Sequence, residues 1–243
     1  MDISYYNYLA EDYDHKRQKP WKALQEFLHC IDIGKLKSSN YCVDIGCGNG
    51  RNFPLISLVS KHIIGIDSSV ELLKRAQKKL TNQLEKNTHT QLILSSVTSI
   101  PIRPKVINGA FIIAVIHHIK SDHNRTSIMQ QIFEIIKDNG WVIASVWRKY
   151  QKKFRWFFIK DFIKRMLCPK YLKAQKRLGL VEYGDKTVPW TLSKEGKTYH
   201  RFYHFFSYRE GKNLMNDFLI AEMIKLGGPG KKDNFFFFLN KNN

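Results

Sequence analysis

Residues 43–50 read V-D-I-G-C-G-N-G, an apolar stretch that breaks into a turn with three glycines. Gly46, Gly48 and Gly50 carry no Cβ, so the backbone there can take positive φ and pass close to a ligand. Asp44 sits at the end of the strand and faces the same crevice. Residues 62–66 read as a second strand that ends in Asp67. An acid at that distance after a glycine turn can accept hydrogen bonds from two ribose hydroxyls. The combination predicts an adenosine-type cofactor. Two further clusters carry chemistry: the histidine pair His117-His118 and the segment Y-H-R-F-Y-H at 199–204.

The spacing of the glycines separates two cofactor classes. The dinucleotide fingerprint is G-x-G-x-x-G, with a pyrophosphate at the helix N-terminus. Here the order is an acid followed by G-x-G-x-G, which resembles motif I of the class I methyltransferases. That resemblance implies S-adenosyl-L-methionine, whose amino-acid end carries an ammonium that favours a nearby carboxylate.

The elements that must position these residues are legible in the pattern. Residues 1–40 are helical in character, with Pro20 in the first turn of a helix running to about Ile31, and 38–40 form a loop. Strands are expected at 41–45, 62–66, 91–94, 109–115 and 141–147, and a closing hairpin at 219–226 and 235–239. Helices are expected at 51–60, from Ser68 or Ser69 through Leu80, from Ser121 or Asp122 to about 139–140, and at 207–218. Strands alternating with helices predict an α/β, Rossmann-like fold: a mostly parallel seven-stranded sheet with helices on both faces and a C-terminal β-hairpin. Residues 1–243 read as a single domain, with 148–206 as a basic, aromatic insertion facing the substrate.

Composition narrows the function classes. There are 243 residues, 43% of them hydrophobic, which is enough for a full core. No apolar run of about 18 residues occurs, so no membrane span is expected. The N-terminus lacks a secretory pattern. Cys30, Cys42, Cys47 and Cys168 show no C-x-x-C pairing, so a reduced, intracellular protein without a metal site is expected. The net charge of +19 points to a polyanionic partner. From 148 to 177, twelve Lys or Arg stand against one acid, Asp161, with aromatics interleaved. Such a block can neutralise phosphates and stack on unpaired bases. A solvated Lys-rich face and an amphipathic helix on an anionic membrane are the other readings.

Three segments carry a more specific resemblance: 6–21 (Y-N-Y-L-A-E-D-Y-D-H-K-R-Q-K-P-W), 114–119 (A-V-I-H-H-I) and 188–206 (V-P-W-T-L…Y-H-R-F-Y-H-F-F). Together with the glycine turn they resemble the tRNA wobble-uridine methyltransferases of the Trm9 type, which include the methyltransferase domain of the AlkB-homologue-8 proteins. The resemblance implies methyl-esterification of 5-carboxymethyluridine at the wobble position of tRNA, in the cytoplasm. It implies cofactor contacts at Asp44, Gly46, Cys47, Gly48, Gly50, Asp67, Ser68, Ser96, Val97 and Ala114. A substrate carboxylate needs a cationic grip, for which Arg is best suited. Arg201, flanked by His200, is the first expectation, with Arg17 and His117 next. Lys19, Trp21, Lys152, Lys153, Arg155, Trp190 and Tyr203 are expected on the RNA side.

The chain departs from the common pattern where an acid is often found: it has Ser96 after the third strand and Asn108 before the fourth. The family's eukaryotic members act with Trm112, a small zinc-binding activator. The strand at 91–94 is the edge where a Trm112-like partner is expected. The alternatives are a small-molecule methyltransferase and a non-catalytic RNA-binding protein of the same fold.

Overall fold

The computed structural model of the chain describes residues 3–31, 34, 36, 39–83 and 88–241. Of the expected loop at 38–40, Ser38 lies outside these residues, and Asn40 already belongs to the first strand. In chain order, helices α1 (Ile3–Lys16) and α2 (Lys22–Cys30) precede β1 (Ser39–Ile45), α3 (Phe53–Ile56), β2 (Ser60–Asp67) and α4 (Val70–Gln83). Then follow β3 (His89–Leu94), β4 (Ile107–Ile113), α5 (Asp122–Ile135), β5 (Ile136–Trp147), α6 (Arg155–Leu167) and α7 (Pro169–Arg177). The chain ends through β6 (Asp185–Thr191), β7 (Thr198–His204), α8 (Tyr208–Leu214), β8 (Leu219–Leu226) and β9 (Asn234–Asn240).

Seven strands form one sheet in the order β3-β2-β1-β4-β5-β9-β8. The first five run parallel, and β9 is antiparallel to both β5 and β8. This is the Rossmann-like sheet with a closing hairpin that the alternation predicts. Both faces are covered: Ile128, Met129 and Ile132 of α5 and Leu214 of α8 pack on one, and Phe27, Phe53, Leu73 and Ala76 of α2, α3 and α4 on the other. The run F-F-F-F in β9 sorts by the two-residue strand period. Phe235 and Phe237 enter the first layer, and Phe236 and Phe238 the second. Burying each ring contributes about 1.5–3 kcal/mol.

Four boundaries differ from the sequence expectation. The helix expected at 51–60 contracts to α3, because Ser60 already pairs with Ser39 in the ladder. Pro20 lies outside α2, whose N-cap is Trp21, and marks a break between α1 and α2 instead of a helical first turn. α5 ends at Ile135, and β5 starts at Ile136, before Trp141. The Lys241 ammonium donates to the carbonyls of Phe133 and Ile136 at 2.7 and 2.8 Å, satisfying the exposed helix end. The last helix begins at Tyr208 behind a capping box of Ser207 and Glu210, and is shorter than expected.

The larger surprise is β6 and β7, a separate two-stranded hairpin within the stretch read only as a basic, aromatic insertion. Pro189 sits within β6 opposite His200. A two-stranded sheet has only edges, so Pro is tolerated there. The hairpin is tied to α5 by a buried network: Arg125 pairs with Glu182, and the His204 Nδ1 lies 2.8 Å from the Asp185 carboxylate. Lys149 is buried and donates to Glu210 and to the Tyr183 carbonyl, both at 2.9 Å. Among the described residues, no helix is long and apolar enough to cross a membrane.

Gly109 shows how tightly β4 and β5 pack. A Cβ there would lie 2.2 Å from the Trp141 ring, which stands edge-on to Phe111 at 5.3 Å. Gly109→Ala is expected to lower stability by about 1–3 kcal/mol through overpacking. Urea denaturation should show a lower midpoint with an unchanged slope; an unchanged midpoint would mean that Trp141 moves freely.

Candidate active site

Parallel strands present their carboxyl ends at one sheet edge, where ligands of open α/β sheets bind. Here the ends of β1, β2 and β4 border a cavity of about 760 Å³. The turn after β1 is set by the backbone. The amides of Gly46 and Cys47 both donate to the Ile66 carbonyl, at 2.7 and 2.9 Å. Gly46, Gly48 and Gly50 all take positive φ, as expected. Their roles differ. A Cβ on Gly48 would meet only the Tyr13 ring, at 3.7 Å and beyond, so this residue is open toward the cavity. A Cβ on Gly50 would strike Phe53 at 2.6 Å, so that glycine serves packing.

Asp67 holds the two loops together. Its carboxylate accepts the Gly48 amide at 2.8 Å and the Ser69 amide at 2.9 Å. Burial raises its pKa, and these backbone bonds oppose the rise. Asp44 is also buried, and its Oδ2 has no hydrogen-bond partner among the described residues. Burial, then the nearby Asp67, pushes its carboxyl up to about 7, against the pull of Arg51. After β4, Ala114 takes φ +59 and donates to the Ser145 hydroxyl at 3.0 Å. A non-glycine residue in that region carries backbone strain, which concentrates at functional sites.

The opposite wall comes from α1, the break after it, and β6 and β7. α1 acts as a strap across the cavity. Asn7 accepts the Ser69 hydroxyl at 2.6 Å, and Asp14 accepts Asn49 and Lys79, each at 2.6 Å. Asp12 accepts the Trp190 indole N–H at 2.7 Å and the Ser193 amide at 2.8 Å. One helix thus binds both the glycine turn and the hairpin. Tyr6 and Tyr13, two turns apart on α1, line the cavity.

Arg201 projects from β7 into this space. Its guanidinium lies 4.5 Å from the Trp190 ring and 5.1 Å from the Tyr203 ring. Among the described residues it has no carboxylate partner, and its buried Nε has no hydrogen-bond partner. Arg17 lies 5.7 Å from the same indole and likewise makes no ion pair; its guanidinium donates to the Lys16 carbonyl. His117 stacks on Tyr203 with ring centres 5.1 Å apart. Burial first, then His118 and Arg201, lowers its pKa well below the usual imidazole value. His118, with the Tyr6 hydroxyl at 3.2 Å, is held down to about 3 by burial and Arg201. Both rings are neutral at physiological pH.

The cavity therefore gathers Gly46, Gly48, Asp67, Ser68, Val97, Ala114, Arg17, Lys19, Trp21, His117, Lys153, Trp190, Arg201 and Tyr203 from the sequence expectations. It does not gather all of them. Cys47 is buried in the apolar layer beneath the turn, where burial raises its thiol pKa. Gly50 packs on Phe53, and Asp44 is buried at the end of β1 and does not line the cavity. Ser96 and His200 border a separate, adjoining cavity. Lys152 and Arg155 are exposed and do not line the main cavity. Trp190 and Tyr203 are buried, which makes them walls and not surface contacts. Of the twelve cations in the basic block, Lys149 pairs with Glu210 and Arg165 with Asp161, so neither is free for phosphate. The sequence reading missed Tyr6, Tyr13, Asp12, Asp14 and Arg51; the spacing of the two tyrosines on one helical face was the available signal.

The strap makes a prediction. Asp12→Ala combined with Asp14→Ala removes the side chains that fasten α1 to Trp190 and Asn49. Amide hydrogen exchange across α1 is expected to accelerate by about ten-fold or more, while β4 and β5 keep their protection. Unchanged exchange in α1 would show that its apolar contacts suffice.

Residues 43–144 match the methyltransferase-domain family. The chain is 27% identical to a tRNA (carboxymethyluridine(34)-5-O)-methyltransferase of Schizosaccharomyces pombe, over 98% of this chain and 94% of that protein. It is 25% identical to the protein of that activity, alkbh8, of Xenopus tropicalis, covering 87% of this chain but 36% of the relative. With the Saccharomyces cerevisiae protein of the same description it shares 25% identity, over 62% of this chain and 49% of the relative. Among solved structures it resembles an S-adenosylmethionine-dependent methyltransferase of Methanosarcina mazei, with a TM-score of 0.67 and 18% identity over 86% of this chain and 95% of that one. It also resembles the DhpI complex with S-adenosylhomocysteine, with a TM-score of 0.61 and 12% identity over 99% and 95% of the two chains. The sheet, the glycine turn with its Asp67 clasp, the matched domain and these relatives converge: the chain is an S-adenosylmethionine-dependent methyltransferase of Rossmann-like fold.

Proposed function

We propose that this enzyme methyl-esterifies the carboxylate of 5-carboxymethyluridine at the wobble position of tRNA, giving 5-methoxycarbonylmethyluridine. The observation that carries the reading is Arg201: a guanidinium held between two aromatic rings, without an acid partner, in the cavity that Asp67 and Gly48 also border. A cation kept unpaired in a half-buried site favours an anionic ligand. The substrate named for the fission yeast and frog relatives supports the same conclusion.

The residues present fit the cofactor. The open face of Gly48 admits close approach, Asp67 and Ser68 suit the ribose, and the orphaned Asp44 Oδ2, buried outside the cavity lining at the end of β1, suits the ammonium through its charge. Val97 and Ala114 would flank the adenine. When bound, S-adenosylmethionine supplies a methyl group on a sulfonium. The chain's own work is positioning. An acceptor carboxylate is ionised at neutral pH and needs no general base, in keeping with the neutral His117 and His118. Arg201, with Arg17 near the same Trp190 ring, orients that carboxylate, and Tyr6, Tyr203 and α1 keep water out. Lys19, Trp21, Lys152, Lys153 and Arg155 are the residues offered to the RNA. The exposed Trp156 and Phe162 of α6 extend that surface. A cytoplasmic location goes with this substrate. A Trm112-like activator would use β3, which is the edge strand of the sheet among the described residues and exposes Leu94.

Purified protein, with and without such an activator, is expected to transfer methyl from S-adenosylmethionine to tRNA bearing 5-carboxymethyluridine. Absence of transfer, with cofactor binding confirmed, overturns the proposal. Arg201→Ala is expected to lower kcat/KM by about a hundred-fold, and Arg201→Lys by less, since a charge-assisted pair is lost in one and weakened in the other.

A pH dependence follows from Asp44. Its carboxyl titrates at about 7, and only the ionised form attracts the ammonium. Below that pH, binding must displace a proton, so affinity for S-adenosylhomocysteine falls as pH drops from 8 to 6, by at most about ten-fold per unit. Calorimetry on Asp44→Asn should give weaker binding and a flat profile over the same range. A slope that survives the substitution would assign the titration elsewhere.

A further inference from the structure

A second cavity, of about 410 Å³, adjoins the main one and shares Tyr6, Val97, His118 and Arg201 with it. β7 explains the arrangement. Strand alternation sends Arg201 and Tyr203 to the Trp190 side, and His200 and Phe202 to the other. Arg201 stands at the boundary and lines both spaces.

The chemistry of the second cavity is one-sided. Lys120, His200 and Arg201 border it, and no carboxylate does. Lys120 is exposed and makes no ion pair among the described residues; its ammonium lies 5.5 Å from the Phe202 ring. The Tyr5 hydroxyl, also on this wall, is buried without a hydrogen-bond partner. The loop after β3 contributes the hydroxyls of Ser96 and Thr98, and α5 the Asn124 amide. Cations without acids call for an anion, aromatic faces for a planar ring, and small polar groups for the edge of a base. A nucleotide meets all three demands.

We propose that this cavity holds the nucleotide next to the acceptor base in the same RNA strand, with Lys120 and Arg201 on the linking phosphate and Phe202 against the neighbouring base. The inference rests on the RNA reading above and deepens it. It moves His200 from the methyl-transfer site to the neighbouring nucleotide. It also gives Ser96 a role where the chain lacks the common acid: a neutral hydroxyl leaves the cavity without the negative charge that would repel a phosphate.

The test uses the full chain with S-adenosylhomocysteine and two probes, uridine 5′-monophosphate and the dinucleotide pUpU, in calorimetry at fixed ionic strength. The dinucleotide is expected to bind about ten-fold tighter than the mononucleotide, and Lys120→Ala to remove most of that advantage. Phe202→Leu, which keeps an apolar side chain, should remove part of it. Equal affinity for the two probes overturns the proposal. So does a Lys120→Ala variant that weakens S-adenosylhomocysteine binding instead, which would make the cavity an extension of the cofactor site. The two readings fail separately. A dinucleotide advantage without methyl transfer to tRNA bearing 5-carboxymethyluridine keeps the cavity and removes the acceptor assignment. Transfer without the advantage does the reverse.

Discussion

The carboxylate of Asp67 is the constraint on which the rest of the site depends. It ends β2, yet it accepts an amide from the turn after β1 and another from the start of α4. Two loops that could move independently are thereby locked to one side chain. The carboxylate is buried, so removing either amide would leave an acceptor without compensation, which costs more than an exposed bond contributes. With that clasp in place, the glycine turn presents Gly48 to the cavity, and Ser69 is placed to meet Asn7 of α1.

From there one continuous chain of contacts crosses the cavity. Asn49 of the turn holds Asp14, α1 carries the geometry to Asp12, and Asp12 holds the Trp190 indole. Trp190 in turn carries the Arg201 guanidinium on its face. The side that suits the cofactor and the side that suits an anionic acceptor are therefore parts of one hydrogen-bonded assembly. α1 is the element that couples them, and a shift of the strap moves both walls. In a reaction whose catalysis is mainly alignment, such coupling matters more than any single proton-transfer group.

Charge is distributed to the same end. Much of the excess of +19 is solvated, but the cations at the cavity differ in kind. Lys149 and Arg165 are committed to Glu210 and Asp161, whereas Arg201 and Arg17 lean on aromatic faces. A guanidinium on an indole keeps its hydrogen-bonding edges free while the ring offsets part of its lost hydration. His117 and His118, neutral through burial, add polar contacts without competing for the anion.

Much of the scaffold was legible in the residues themselves. The turn at 46–50 needs glycine for its positive φ, Asp67 follows the second strand, and the alternation of apolar runs with helical periods dictates a doubly covered parallel sheet. The phenylalanine run declared a buried strand by its composition alone. These are local properties, written in backbone conformation and in periods of two or 3.6 residues. The division of labour at the site was decided by tertiary structure. Nothing in Y-H-R-F-Y-H says that Arg201 turns toward Trp190 while His200 turns away. That depends on the pairing of β7 with β6, a hairpin masked in the sequence by Gly184 and Pro189. Nor does the sequence of α1 announce a strap, since its partners Asn49, Ser69 and Trp190 lie far along the chain. Cys47 and Gly50, which share a motif with Gly48, were turned into the core by packing against Phe53 and its neighbours. Burial and cross-strand register join residues distant in sequence, so only the folded chain could determine which side chains meet.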